Sequence, residues 1–174
     1  GDLGGWPKTY AAVAFQPGAD PRGTIDRAFA PFLGTTPAMS LTPEACVRAL
    51  AARVEQTEQG IVILVDALEE LVTLESLRGV GGAWLAELIA CLGRSPVLGV
   101  RAIVTARRDF LDALLEHPAL GPAIARSVEL VSPLSSRAFA EALEERLAAY
   151  GYSLEDASMR DELAAALASA PEAM

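Results

Sequence analysis

Asp66 closes an unbroken apolar run, Ile61-Val-Ile-Leu-Val65, and two further carboxylates follow at Glu69 and Glu70. A buried strand that delivers a carboxylate at its C-terminal end places charge where an α/β sheet meets its ligands. An aspartate there can support Mg²⁺, which is held by a few carboxylates together with phosphate oxygens and water. Acids three and four residues further on can polarise a water that attacks a γ-phosphate. A structural use competes with this chemistry, because an aspartate at a strand end also caps a following helix.

A second polar group lies just past another apolar run, in Val100-Arg-Ala-Ile-Val-Thr105-Ala-Arg107-Arg108-Asp109-Phe110. Thr105 has a hydroxyl to offer a phosphate, and Arg107 has a planar fork of donors that matches phosphate oxygens. The competing use is pairing of Arg107 and Arg108 with Asp109, Asp112 or the acids near Asp66. His117 is the only histidine and lies in Glu116-His117-Pro118 at a helix end, which suits a surface or capping role. Two cysteines and one histidine are too few for a Cys/His metal cluster. No residues have Ser/His/Asp spacing.

The elements that must carry these groups alternate in type. Tyr10 to Phe15 reads as a short buried strand stopped by Gln16-Pro17-Gly18. Pro21 opens a helix with Ile25, Phe29 and Phe32 at helical spacing, closed by Gly34, and Thr35 to Ser40 reads as a loop. Thr42 is an N-cap and Pro43 the first residue of a helix that buries Cys46, Val47, Leu50 and Val54. Ile61 to Val65 is β-branched and continuously apolar, as a strand covered on both faces would be. A glycine-rich turn, Gly79 to Gly82, precedes a helix over Ala83 to Leu92. Val100 to Thr105 and Ser127 to Val131 read as third and fourth strands, with a helix carrying Phe110, Leu111, Leu114 and Leu115 between them. Ser135 or Ser136 caps a helix with Phe139, Leu143, Leu147 and Tyr150 on one face, ended by Gly151. Ser153 with Asp156 marks the start of a last helix toward Ala168. Strands alternating with helices predict an α/β domain built on a parallel sheet.

Composition narrows the partners. With 52% hydrophobic and 21% charged residues in 174, the chain is globular rather than disordered. A formal net charge of −9 repels phosphate backbones, which predicts no nucleic-acid binding. No apolar run approaches the ~20 residues of a membrane-spanning helix. Cys46 and Cys91 read as buried thiols in a reducing compartment, so a cytoplasmic location with no membrane partner is expected. Residues Gly1 to Lys8 carry neither a start methionine nor a targeting pattern, which suggests a piece of a longer chain.

Taken in order, Pro17-Gly-Ala-Asp-Pro21, Val62 to Thr73, Ile103 to Leu120 and Val128 to Leu143 resemble the STAND NTPases. The likeness is to the bacterial branch often fused to WD-type repeats or protein kinase domains, and it runs from about Trp6 to Leu167. It implies a P-loop NTPase-like, three-layer α/β fold and an ATP-driven molecular switch that uses Mg²⁺. By position, Asp66 matches the family's Walker B aspartate, which supports Mg²⁺. Glu69 and Glu70 match its distal acidic pair, one of which orients the attacking water. Thr105 and Arg107 match the segment that senses the γ-phosphate, and Pro133 the proline that precedes the lid region. Ala67-Leu68 departs from the Gln-Phe often found in this branch. Residues 1–134 are then expected to form the NTPase core and 135–174 a helical segment leading to the lid.

One family motif is absent. No G-x-x-x-x-G-K-[ST] occurs, and Lys8, the only lysine, stands beside Pro7, which lacks the N–H that a phosphate cradle needs. In the family that loop and its strand lie upstream, and the strand runs through the middle of the sheet. Its neighbours there are the strands matching Val100–Thr105 and Ser127–Val131. The chain is therefore expected to lack its central strand, to expose apolar strand edges, and to bind ATP weakly or not at all. Its expected partners are the upstream Walker A segment and the downstream domains of a parent ATPase, with homo-oligomer formation in the ATP-bound state. The alternative is a non-catalytic interaction domain of the same fold with a decayed nucleotide site. A flavodoxin-like domain, the third possibility, would have a complete sheet and glycine-rich ligand loops.

Overall fold

In a computed structural model of the chain, the structure describes residues 7–73, 79–132, 135–154 and 156–168. They fall into two compact units, residues 1–128 and 129–174.

The first unit is framed by a three-stranded, wholly parallel sheet in the order β1 (Tyr10–Phe15), β2 (Gly60–Val65), β3 (Val100–Val104). Phe15 stands opposite Val65, and Val65 opposite Val104. The three strands therefore leave the sheet in line, and Gln16, Asp66 and Thr105 emerge side by side at one rim. This register positions the site.

Around the sheet lie α1 (Pro21–Leu33), α2 (Pro43–Thr57), the single turn α3 (Glu70–Thr73), α4 (Val80–Arg94), α5 (Leu111–Glu116) and α6 (Gly121–Ile124). Asp20 and Thr42 cap α1 and α2 by accepting from the Gly23 and Ala45 N–H groups, at 3.0 and 3.2 Å. A proline follows each cap at the position where no N–H is required. Helices α1, α2 and α4 pack on one another and on the sheet. Ile25, Phe29, Leu50, Leu85 and Leu88 meet Val13, Ile61, Ile63 and Val65 in one core. Phe29 stands edge-to-face with Phe15 and Trp84, ring centres 6.1 and 6.4 Å away, and Trp84 Nε1 donates to the Leu41 carbonyl at 2.8 Å. Trp6, where the resemblance begins, and Pro133 lie outside the described residues.

Three sequence expectations change. Helix α4 begins at Val80, three residues before Ala83, and includes the buried Gly81 and Gly82. A Cβ at Gly81 would lie 3.0 Å from Pro21 Cγ, so the glycines bring the first turn of α4 against the start of α1 rather than making a loop. Next, β2 is well covered on one face only. Ile61, Ile63 and Val65 are buried, whereas Val62 and Leu64 are half-buried and the neighbouring Ala12, Ala14 and Ile103 are exposed. Two layers, not three, are present among the described residues of this unit. Finally, Ser127–Val131 is not a strand. The Ser127 and Val128 N–H groups turn back to the Ile124 carbonyl at 2.9 and 3.0 Å, and Val128, Leu130 and Val131 are exposed. An extended segment needs a neighbour for its backbone groups, and no described strand pairs with this one.

The outer edge of β3 is open. Ile61 N–H donates to the Gly99 carbonyl (2.7 Å) and Thr105 N–H to Val65 (3.0 Å), so odd-numbered residues of β3 bond to β2. Ala102 and Val104 turn their backbone groups outward, and no described strand pairs there.

The second unit is a hairpin of α7 (Ser136–Ala149) and α8 (Ala157–Ala168). Ser135 is the cap of α7, accepting from Ala138 N–H at 3.2 Å. Asp156, rather than Ser153, caps α8 by accepting from Met159 N–H at 2.8 Å. Arg160 of α8 reaches Glu144 of α7 at 3.3 Å. No helix of the described residues is long and apolar enough to cross a membrane.

Candidate functional site

Thr105, one residue past β3, is the hub of the rim. Its carbonyl accepts from Leu68 N–H at 2.8 Å, and its Oγ1 accepts from Ala67 N–H at 3.2 Å and donates to Asp66 Oδ1. These bonds wrap the turn after β2 onto the end of β3. They also hold Ala67 at φ 55°, a left-handed conformation that costs a non-glycine residue on the order of 1–3 kcal/mol. A hydroxyl has one proton, and Thr105 gives it to Asp66. Thr105 therefore positions the aspartate. The other oxygen, Asp66 Oδ2, has no partner among the described residues, and the side chain is exposed at the rim.

Glu69, three residues after Asp66, is buried to 9% exposure. Its Oε2 accepts from the backbone N–H of Arg107 at 3.3 Å, which ties the turn after β2 to the segment after β3. Glu70 faces the other way. Its Oε1 accepts from Gln16 Nε2 at 2.9 Å and its Oε2 from Gly18 N–H at 2.7 Å. Gly18 has φ 64°, a conformation glycine adopts freely, and this aims its N–H at the carboxylate. Gln16 and Gly18 escaped the sequence reading, which saw only a turn there. A contact across 52 residues leaves no local signal.

Arg107 brings its backbone to the rim, but its fork turns elsewhere. Nε and one Nη donate to Asp109 at 3.2 and 2.9 Å, and the guanidinium carbon lies 5.6 Å from the Phe110 ring centre. The competing use foreseen for this arginine is the one observed. Lys8 is exposed just before β1, at the opposite end of the sheet from Asp66.

Two other expectations can be placed. His117 ends α5, its backbone N–H donating to the Leu114 carbonyl at 3.3 Å, while its Nδ1 accepts from the Ala119 and Leu120 N–H groups of the next turn at 3.3 and 3.4 Å. Cys46 and Cys91 are both free and buried, and burial pushes the Cys46 thiol up to about 12. Ligand-type atoms of Glu44, Glu87 and Cys91 converge within 4.8 Å. The Arg94 guanidinium bonds to Glu87 and lies 3.3 Å from Cys91 Sγ, so arginine supplies the positive charge of that cluster.

Fold and rim together define an α/β domain whose parallel strands present acids, a hydroxyl and backbone amides at their C-terminal ends. The chain belongs to the novel STAND NTPase 1 family, whose model matches residues 5–174. No curated protein and no solved structure matches it.

Proposed function

We propose that this chain carries the Walker B and sensor segments of an ATP-driven STAND switch, with the phosphate loop supplied by sequence outside these residues. The observation that carries the reading is the Thr105–Asp66 hydrogen bond, which holds one oxygen of an exposed carboxylate and leaves the other open at the strand ends. Those features fit Mg²⁺, which accepts a single carboxylate when phosphate and water complete its shell. Bound there, MgATP would supply the phosphate charge that the metal neutralises and the γ-phosphate that water attacks. Asp66 anchors the metal's shell and Thr105 fixes the rotamer of Asp66. Glu69 joins the two segments, and of the acidic pair Glu70 is the one already engaged at both oxygens. The guanidinium of Arg107 reads the γ-phosphate once it leaves Asp109.

The open edge of β3 supports the missing-strand part of the proposal. A strand added in parallel at Ala102 and Val104 would open its loop at the same rim as Asp66. Downstream domains and ATP-dependent self-association belong to the same reading. The scaffold alternative draws on a different observation, that Glu70 and Arg107 already have partners within the chain.

The test is calorimetric titration of MgATP into a chain extended upstream through a phosphate loop. Asp66→Ala and Arg107→Ala are each expected to weaken binding by about tenfold, the loss of one charge-assisted contact at ~1.4 kcal/mol. Equal affinity in all three proteins would remove the assignment and leave the scaffold.

A further inference from the structure

We propose that Asp109 sets the phosphate affinity of Arg107 by occupying its donor fork, so that the resting chain holds its phosphate-reading side chain self-blocked. The inference rests on the reading of Arg107 given above and adds a residue that regulates it. Asp109 takes the guanidinium side-on, Oδ1 from Nε at 3.2 Å and Oδ2 from Nη2 at 2.9 Å. That side-on edge is one of the two at which a planar guanidinium takes paired phosphate oxygens. One face of the guanidinium lies toward the Phe110 ring, 5.6 Å from its centre. Carboxylate and phosphate therefore compete for the side-on edge, and the Asp109 charge offsets that of the guanidinium at its other edge.

The geometry makes the block reversible. Asp109 sits in the single 3₁₀ turn Arg108–Phe110, so the carboxylate is held two residues from the arginine it covers. The side chains of Arg107 and Asp109 are 64% and 56% exposed, and water screens the pair. The Arg107 backbone is already held at the rim by Glu69 Oε2 at 3.3 Å. Release therefore needs side-chain rotation alone, with no loop to rebuild. An exposed ion pair withholds only a few-fold in affinity, so the device tunes a threshold rather than closing the site.

The test uses the chain extended upstream through a phosphate loop and inorganic tripolyphosphate, read by nitrogen-15 NMR of the arginine Nε–Hε groups. Asp109→Asn is expected to tighten the tripolyphosphate response at Arg107 by about threefold to fivefold. Asp112→Asn removes the same charge from an exposed position on the neighbouring helix and is expected to leave the response unchanged. Arg107→Ala removes the signal and so assigns it to Arg107. Equal binding by Asp109→Asn and wild type overturns the block while leaving Arg107 as a phosphate ligand. An equal gain in Asp112→Asn also overturns it, since net charge would then explain the effect. If tripolyphosphate moves no Arg107 signal in either wild type or Asp109→Asn, the phosphate-reading role of Arg107 fails, and the block with it.

Discussion

Phe29→Ala should destabilise the chain by about 3–5 kcal/mol and leave a substantial unfolded fraction at room temperature. Phe29 is 0% exposed and joins three elements, α1 through its own backbone, β1 through Phe15 and α4 through Trp84. Truncation removes a large buried ring and leaves a cavity that two aromatic neighbours can close only by moving. Among the described residues the sheet has one well-covered face, so no second core compensates for the loss. Asp66 follows directly on the buried Val65, and the rim should melt with the sheet. Urea unfolding followed by circular dichroism measures the change. Leu115→Ala, on a side chain 37% exposed, serves as the comparison and should stay under about 1 kcal/mol. A Phe29→Ala shift as small as that would mean the core is not where these contacts place it.

Glu70→Ala should cost about 2 kcal/mol and loosen the segment after β1 while leaving β2 intact. The carboxylate takes two hydrogen bonds from one turn, 2.7 Å from the Gly18 N–H and 2.9 Å from Gln16 Nε2. Removing it strands the part-buried Gly18 N–H, and leaving such a donor unpaired is the larger share of the penalty. Hydrogen exchange is the direct readout. The Gly18 amide should exchange at least tenfold faster, whereas the Ile63 amide, inside the sheet, should slow or speed only with global stability. Unchanged exchange at Gly18 would show that the turn holds itself without Glu70.

Much of the fold could be read from local rules. Thr42-Pro43 announces α2 because a cap and a missing N–H act within one turn of chain, and the spacing of Ile25 and Phe29 gives the buried side of α1 for the same reason. Asp66 and Thr105 are each legible as the polar residue that closes an apolar run, whereas the hydrogen bond between them spans 39 positions and comes from the register of the sheet. What failed depends on partners distant in sequence. Gly81 looks like a loop residue until Pro21 is seen packed against it. Val128 to Val131 has strand-like composition, but strand propensity acts through paired neighbours and no described strand pairs with these residues. The grip of Glu70 on Gly18 spans 52 positions. The direction of Arg107 had no sequence answer, because Asp109 and a phosphate offer the same kind of acceptor.

The central claim is that residues 66, 69, 105 and 107 form one rim that faces the phosphates of a nucleotide. Paramagnetic broadening by Mn²⁺·ATP tests it most directly, in a chain extended upstream through a phosphate loop. The two ends of β2 lie roughly 17 Å apart, the length of five residue steps in a strand. Broadening falls steeply over such a distance. The amides of Asp66 to Glu70 and Thr105 to Arg107 should broaden first, with those of Gly60 and Gly99 unaffected. Broadening that began at Gly60 and Gly99, or that spread evenly over both ends, would contradict the account.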